Sequence, residues 1–258
     1  MRIKSSHLIA ASGAIGLVLV ILGAVVAVNS NHGTAGSLDP GLTESSRREL
    51  ERLPYCVVSR RYGVSPEVLA GVVLAEKQLN RDWTDRLQDG LFTVLLALRS
   101  ERGWQEWAHE ALARADRSIK ERARSRSWPS DVVWTGVIFS LGPAQITPRT
   151  AFHACRNATA PPDWCATPRR LIEALMDETR SLEVAALVLV DERKRHLAET
   201  QVDVGGRPGQ WATLYNFGGE IFRTRFRDQP DRPANGFGRW IDHHSAFIAS
   251  ALHCNQGG

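Results

Sequence analysis

Apolar residues in this chain recur mostly three and four positions apart, and long alternating β-branched runs are missing. That spacing predicts helices rather than strands, so the chain reads as mainly α. One stretch departs from the amphipathic pattern. From about Leu8 to Val28 no charged residue occurs, which matches the ~20 apolar residues needed to cross a bilayer as a helix. Arg2 and Lys4 precede it, and the next Lys or Arg is Arg47. This asymmetry predicts a cytoplasmic N-terminus at 1–7, a transmembrane anchor at 8–28 and an extracytoplasmic remainder. A secretory signal is the competing reading, because Val25-Val26-Ala27 offers the small residues wanted at a cleavage site.

Residues 29–43, rich in Asn, Ser and Gly, read as a flexible stalk. Residues 44–258 then make one domain with ample chain for a core. A first helix is predicted from Thr43 to about Tyr62. The next opens at Ser65-Pro66-Glu67, with Ser as N-cap, Pro at N1 and an acid in the first turn, and ends near Asn80. A short apolar helix follows over Gly90–Arg99, then a longer one over Glu101–Arg126. Trp128–Asp131 is a break, and Val132–Phe139 a short apolar segment. Further helices are predicted from Thr147, over Pro168–Asp177, from Ser181 to about Thr200, over Trp211–Tyr215 and over Ile241–Leu252, with Gly205–Gly209 as a loop.

Four cysteines, Cys56, Cys155, Cys165 and Cys254, suit an oxidising compartment. Three connectivities are open to them. The favoured one closes the short Cys155–Cys165 loop and leaves Cys56–Cys254 to tie the ends of the domain. Paired Cys-x2-Cys spacing is missing, so no metal and no cofactor are expected. The net charge is +4, with Arg far commoner than Lys. Arg114, Arg117, Lys120, Arg122, Arg124 and Arg126 form a basic stripe, read either as a solvated helix face or as a contact for an anionic polymer. No nucleic-acid module accompanies it, and no nucleic-acid partner is expected.

Glu76 draws the chemistry. It closes the apolar run Pro66–Ala75, and Leu69, Val72, Val73 and Glu76 share one helix face. A carboxyl turned toward a core resists ionisation, and a protonated carboxyl is what general-acid cleavage of a glycosidic bond requires. Two later segments complete a set. They are Ser140-Leu-Gly142-Pro-Ala-Gln145-Ile-Thr-Pro-Arg-Thr-Ala151 and Trp211-Ala-Thr-Leu-Tyr215-Asn216-Phe-Gly-Gly219.

In order and content these three segments resemble the lytic transglycosylases of the lysozyme-like superfamily. The resemblance implies a lysozyme-like helical domain that cleaves the β-1,4 bond between N-acetylmuramic acid and N-acetylglucosamine in peptidoglycan. Glu76 would protonate the glycosidic oxygen, then act as base on the muramic acid C6 hydroxyl to leave a 1,6-anhydro end. Tyr215 would hydrogen-bond the Glu76 carboxyl. Gln145 and Asn216 would offer amides to the sugars, and Ser140 and Gly142 would shape the loop at the cleft. Its partners would be glycan strands, the inner membrane through the N-terminal helix, and proteins of an envelope machine.

Four features depart from the family pattern. Lys77 stands where Ser is usual, Pro143-Ala144 replace Leu-Met, Phe217 replaces a small residue, and the stretch around 85–130 inserts an extra helical lobe or lid. Glu101, Glu106 and Glu110 lie in that insertion as rival acids. Asp191-Glu192 follows an apolar helical stretch and reads either as the charged end of a buried helix or, through Glu192, as the second carboxylate of a hydrolytic muramidase, the first alternative. An inactive glycan-binding scaffold protein is the second. His243, His244 and His253 read as surface or packing residues, and most of the tryptophans as core.

Overall fold

A computed structural model describes residues 42–80, 83–110, 112–113, 140–217 and 232–254. All lie in a unit running Pro40–Gly258. The anchor at 8–28, most of the stalk, the basic stripe Arg114–Arg126, the break at Trp128 and the segment Val132–Phe139 lie outside the described residues. Among the described residues no helix is long and apolar enough to cross a membrane.

The described chain is mainly helical. No strand occurs among those residues, only one isolated antiparallel bridge between Leu141 and Ile146. The helices are α1 (Glu44–Arg52), α2 (Tyr55–Tyr62), α3 (Pro66–Ala75), α4 (Trp83–Leu98), α5 (Pro148–Asn157), α6 (Pro168–Met176), α7 (Glu178–Thr200), α8 (Pro208–Phe217) and α9 (Gly236–Leu252). Residues 101–110 are also helical.

Helix starts follow one device. Ser65, Thr147 and Thr167 each precede a proline, and each side chain accepts the backbone N–H three residues on, from Val68, Thr150 and Arg170. The cap satisfies a donor the helix cannot, and proline fills a position whose N–H is not needed. Asp177 and Asn235 cap α7 and α9 in the same way without proline, which is why both helices begin earlier than expected.

The single first helix expected over 43–62 is two. Leu53 is extended, with φ −105° and ψ 147°, because the ring of Pro54 crowds a helical conformation at the residue before it. α2 then stops at Gly63, whose φ of +70° puts it in the left-handed region.

The core is built around α3 and α7. Every residue from Val68 to Ala75 is buried. α3 therefore has no solvated face; it is enclosed by α1, α2, α7, α8 and α9, as befits a helix apolar all round. α7 packs on α2, α3, α5, α6 and α8. α8 and α9 approach so closely that a Cβ on Gly238 would lie 2.0 Å from the Gly209 carbonyl oxygen.

Two disulfides close the framework, Cys56–Cys254 and Cys155–Cys165, with Cα separations of 5.5 and 5.6 Å. They are the pairs favoured on sequence spacing. In the region expected as an insertion, α4 packs on α6. Buried Phe92 and Trp104 flank Trp107 edge-to-face at 6.2 and 5.2 Å. These contacts join α4 to the helical stretch at 101–110.

Candidate active site

Glu76 stands where α3 ends. Its backbone N–H reaches the carbonyls of both Val72 and Val73, and residues Glu76–Asn80 continue as one π-helical turn. A π-turn widens a helix by one residue and is enriched at functional positions. The Glu76 side chain is buried, with 4% of its surface exposed. What places it there is the end of a fully buried helix rather than one apolar face of an amphipathic one.

Lys77 does not crowd the acid. Its ammonium is paired with Glu49 of α1, which Arg52 also holds at 3.1 Å. Burial raises the Glu49 carboxyl pKa, but its bonds to Lys77 and Arg52 prevail and hold it below the usual range. The departure at Lys77 is thus absorbed by an ion pair on the neighbouring helix.

Residues 140–147 form a tight turn across the Leu141–Ile146 bridge, whose two backbone bonds measure 3.0 and 3.3 Å. Gly142 has φ +65° and backs onto α6; a Cβ there would sit 1.8 Å from the Leu175 carbonyl oxygen. Only glycine meets both demands. We expect Gly142→Ala to cost about 2–4 kcal/mol, the sum of a left-handed backbone and an overpacked contact, read from the shift in denaturant midpoint.

Gln145 takes φ +49°, a region that few residues other than glycine occupy. It is buried, and its Nε2 donates to the Gly142 carbonyl at 2.9 Å. The amide expected to meet sugar is therefore turned back into its own loop. Ser140 is half-buried at the turn's entrance. Asp89 of α4 accepts the Gly142 N–H at 2.9 Å, so the inserted region braces the turn. Nothing in the sequence marked that acid, which is one of several on a partly polar helix.

Tyr215 joins the two parts. It is buried on α8, and its hydroxyl donates to the Ala144 carbonyl oxygen. A carbonyl only accepts, so the hydroxyl donates its one proton to the turn, while its oxygen keeps the capacity to accept. Burial first, and the nearby Glu76 charge second, push its pKa well above the ordinary value. Tyr215 is therefore a neutral, permanent donor at any physiological pH. Tyr215→Phe keeps the packing but leaves the buried Ala144 carbonyl without that donor. We expect a loss of about 1–3 kcal/mol, measured by thermal unfolding.

Asn216 is exposed, and its Oδ1 accepts from Asn235, the N-cap of α9, at 3.2 Å. Glu101, Glu106 and Glu110 are exposed and do not displace Glu76 as the buried acid. Asp191 and Glu192 are buried in the middle of α7 instead of ending it. Asp191 accepts from Asn157 at 2.9 Å, and Arg195 lies 3.8 and 3.7 Å from the two carboxylates. Trp104, Trp164, Trp211 and Trp240 are buried, the Trp211 indole donating to the Leu189 carbonyl at 2.8 Å.

No family model, curated protein or solved structure matches this chain. The chemistry rests on the residues themselves. They bring together a buried carboxyl, a neutral phenol and a strained turn drawn from α3, 140–147 and α8. Such a carboxyl can give a proton and take one back; the phenol and turn supply rigidity. Among the described residues no group of three His, Cys, Asp or Glu side chains is placed to hold a metal ion. His243 and His253 are exposed, and His244 packs against Trp240 with ring centres 4.4 Å apart and the rings tilted by 60°.

Proposed function

We propose that this protein is a peptidoglycan lytic transglycosylase with a lysozyme-like domain, in which Glu76 acts first as acid and then as base. One observation carries the reading. Tyr215 lies near enough to Glu76 for that carboxylate to add to the rise of its pKa, while its hydroxyl holds the Ala144 carbonyl, and this nearness of residues from the three segments supports the reading. A single carboxyl suffices for non-hydrolytic cleavage, because the group that has protonated the leaving oxygen becomes the base for the C6 hydroxyl.

A hydrolytic muramidase on the same scaffold would need a second carboxylate to work on water. Asp191 and Glu192 are the buried candidates, but both already face Arg195. The non-hydrolytic reading is therefore preferred. In this reading the chain is held at the inner membrane by residues 8–28 and works on the wall outside it.

The test is digestion of purified peptidoglycan by the full chain, with Glu76→Gln alongside and mass spectrometry of the fragment ends. Anhydro-muramic ends that depend on Glu76 are expected. Reducing muramic ends would transfer the reading to the muramidase. Strands that bind the folded protein but are never cut would leave a scaffold role.

A further inference from the structure

A second concave site lies away from Glu76. A cavity of about 390 Å³ is floored by Leu187 of α7, within the size range of small-ligand sites. Its walls are the C-terminal end of α2, with Arg61 and Tyr62, and the loop 158–162. Glu183 stands at one end and Lys194 at the other. No lining residue belongs to α3, to the turn 140–147 or to α8. Ala185, Leu189 and Glu192, about half a turn round α7 from the lining stripe, are buried on its other side.

The two ends differ in chemistry. Glu183 accepts from Arg61 and from the Trp164 indole at 3.2 Å, and its side chain keeps 18% of its surface exposed. A carboxylate has room for further donors beyond two. Lys194 is exposed, and among the described residues no carboxylate pairs with it. The pKa of Tyr62, also in the lining, is pushed up to about 12 by burial and by Glu183, so it is a neutral phenol. Glu183 and Lys194 are eleven residues apart on one helix, a rise of about 16 Å. That is the reach of roughly four or five residues of extended peptide, with the Glu183 and Lys194 side chains closing any remainder.

We propose that this cavity binds a short extended peptide with free ends, its C-terminal carboxylate on Lys194 and its amino group on Glu183. An inorganic anion could meet Lys194 or the Arg61 paired with Glu183, but it would leave the span between them unfilled. A sugar would find hydroxyls on Tyr62 and Thr159 but would leave the opposite charges of Glu183 and Lys194 without ionic partners. The wall formed by 158–162 lies inside the Cys155–Cys165 loop, so it is held in shape before the ligand arrives, which lowers the cost of ordering it. Binding here needs no working Glu76, so it stands or falls apart from the cleavage proposed above.

The experiment is calorimetric titration of the full chain with tetra-alanine, with its C-terminal amide, and with N-acetylated tetra-alanine. The free peptide is expected to saturate the protein at millimolar concentration or below. Each blocked form should bind about tenfold more weakly, the loss of one charge-assisted hydrogen bond. In Lys194→Gln, an exposed position where folding is not at stake, the difference between acid and amide should vanish. Equal discrimination by Lys194→Gln, or no saturation by tetra-alanine, would overturn the assignment. So would saturation by chitotetraose in its place, which would make the cavity a sugar site.

Discussion

Glu76→Gln is expected to lower the release of anhydro-muramic fragments by on the order of 10²- to 10⁴-fold, the usual worth of a positioned general acid and base. Gln keeps the shape and most of the hydrogen-bonding capacity of Glu but has no proton to give and no charge to take one up. The side chain is only 4% exposed, and the isosteric amide keeps its packing. The unfolding temperature should therefore stay level. That pairing of outcomes separates a catalytic acid from a structural one. A structural Glu76 would cost stability when replaced and would leave turnover per folded molecule unchanged. Circular dichroism and fragment analysis on the same preparation decide between them.

The second large effect concerns stability. The Cys56–Cys254 bond spans 198 residues and the Cys155–Cys165 bond 10. Loop-closure entropy then assigns the first about 5 kcal/mol and the second about 3 kcal/mol. A domain of this kind has only about 5–15 kcal/mol in hand. Replacing Cys56 and Cys254 together by Ser should thus cost a third or more of the total stability, and replacing Cys155 and Cys165 distinctly less. Equilibrium denaturation of the two double variants measures both losses. Equal losses would sink the entropic account. If only the short bond mattered, the rigidity of the 158–162 loop would be the dominant contribution.

Much of the helical plan could be read from short-range chemistry. Ser65, Thr147 and Thr167 before proline announce helix starts whose signals are local, and the starts fall there. The break at Pro54 was equally local, but the apolar spacing of Leu50, Leu53, Val57 and Val58 runs straight through it and masks it. Glu76 was legible because an acid closing an apolar run is unusual. The reason it is buried was not legible: whether α3 has one covered face or none depends on how many helices surround it.

The details of the site belong to long-range contacts. Which acceptor takes the Tyr215 proton depends on where α8 meets the turn 140–147, residues 71 apart. Whether Gln145 points outward or back into its loop follows from the backbone of Gly142, and that follows from the Leu175 carbonyl behind it. The partner of Lys77 is on α1, 28 residues earlier. None of these pairings leaves a periodic trace in the chain.

The π-turn at Glu76–Asn80 has a bearing on how this chain tolerates changes of length. Such a turn is an α-helix carrying one residue more than its span requires. Removing a residue between Lys77 and Asn80 would let α3 run on as an ordinary α-helix, the loss being taken up within the turn. Glu76 and everything before it would keep their places, and the chain beyond the turn would keep its direction. The extra residue acts as slack, so that its loss shifts neither the acid nor the aim of the segment that comes after it.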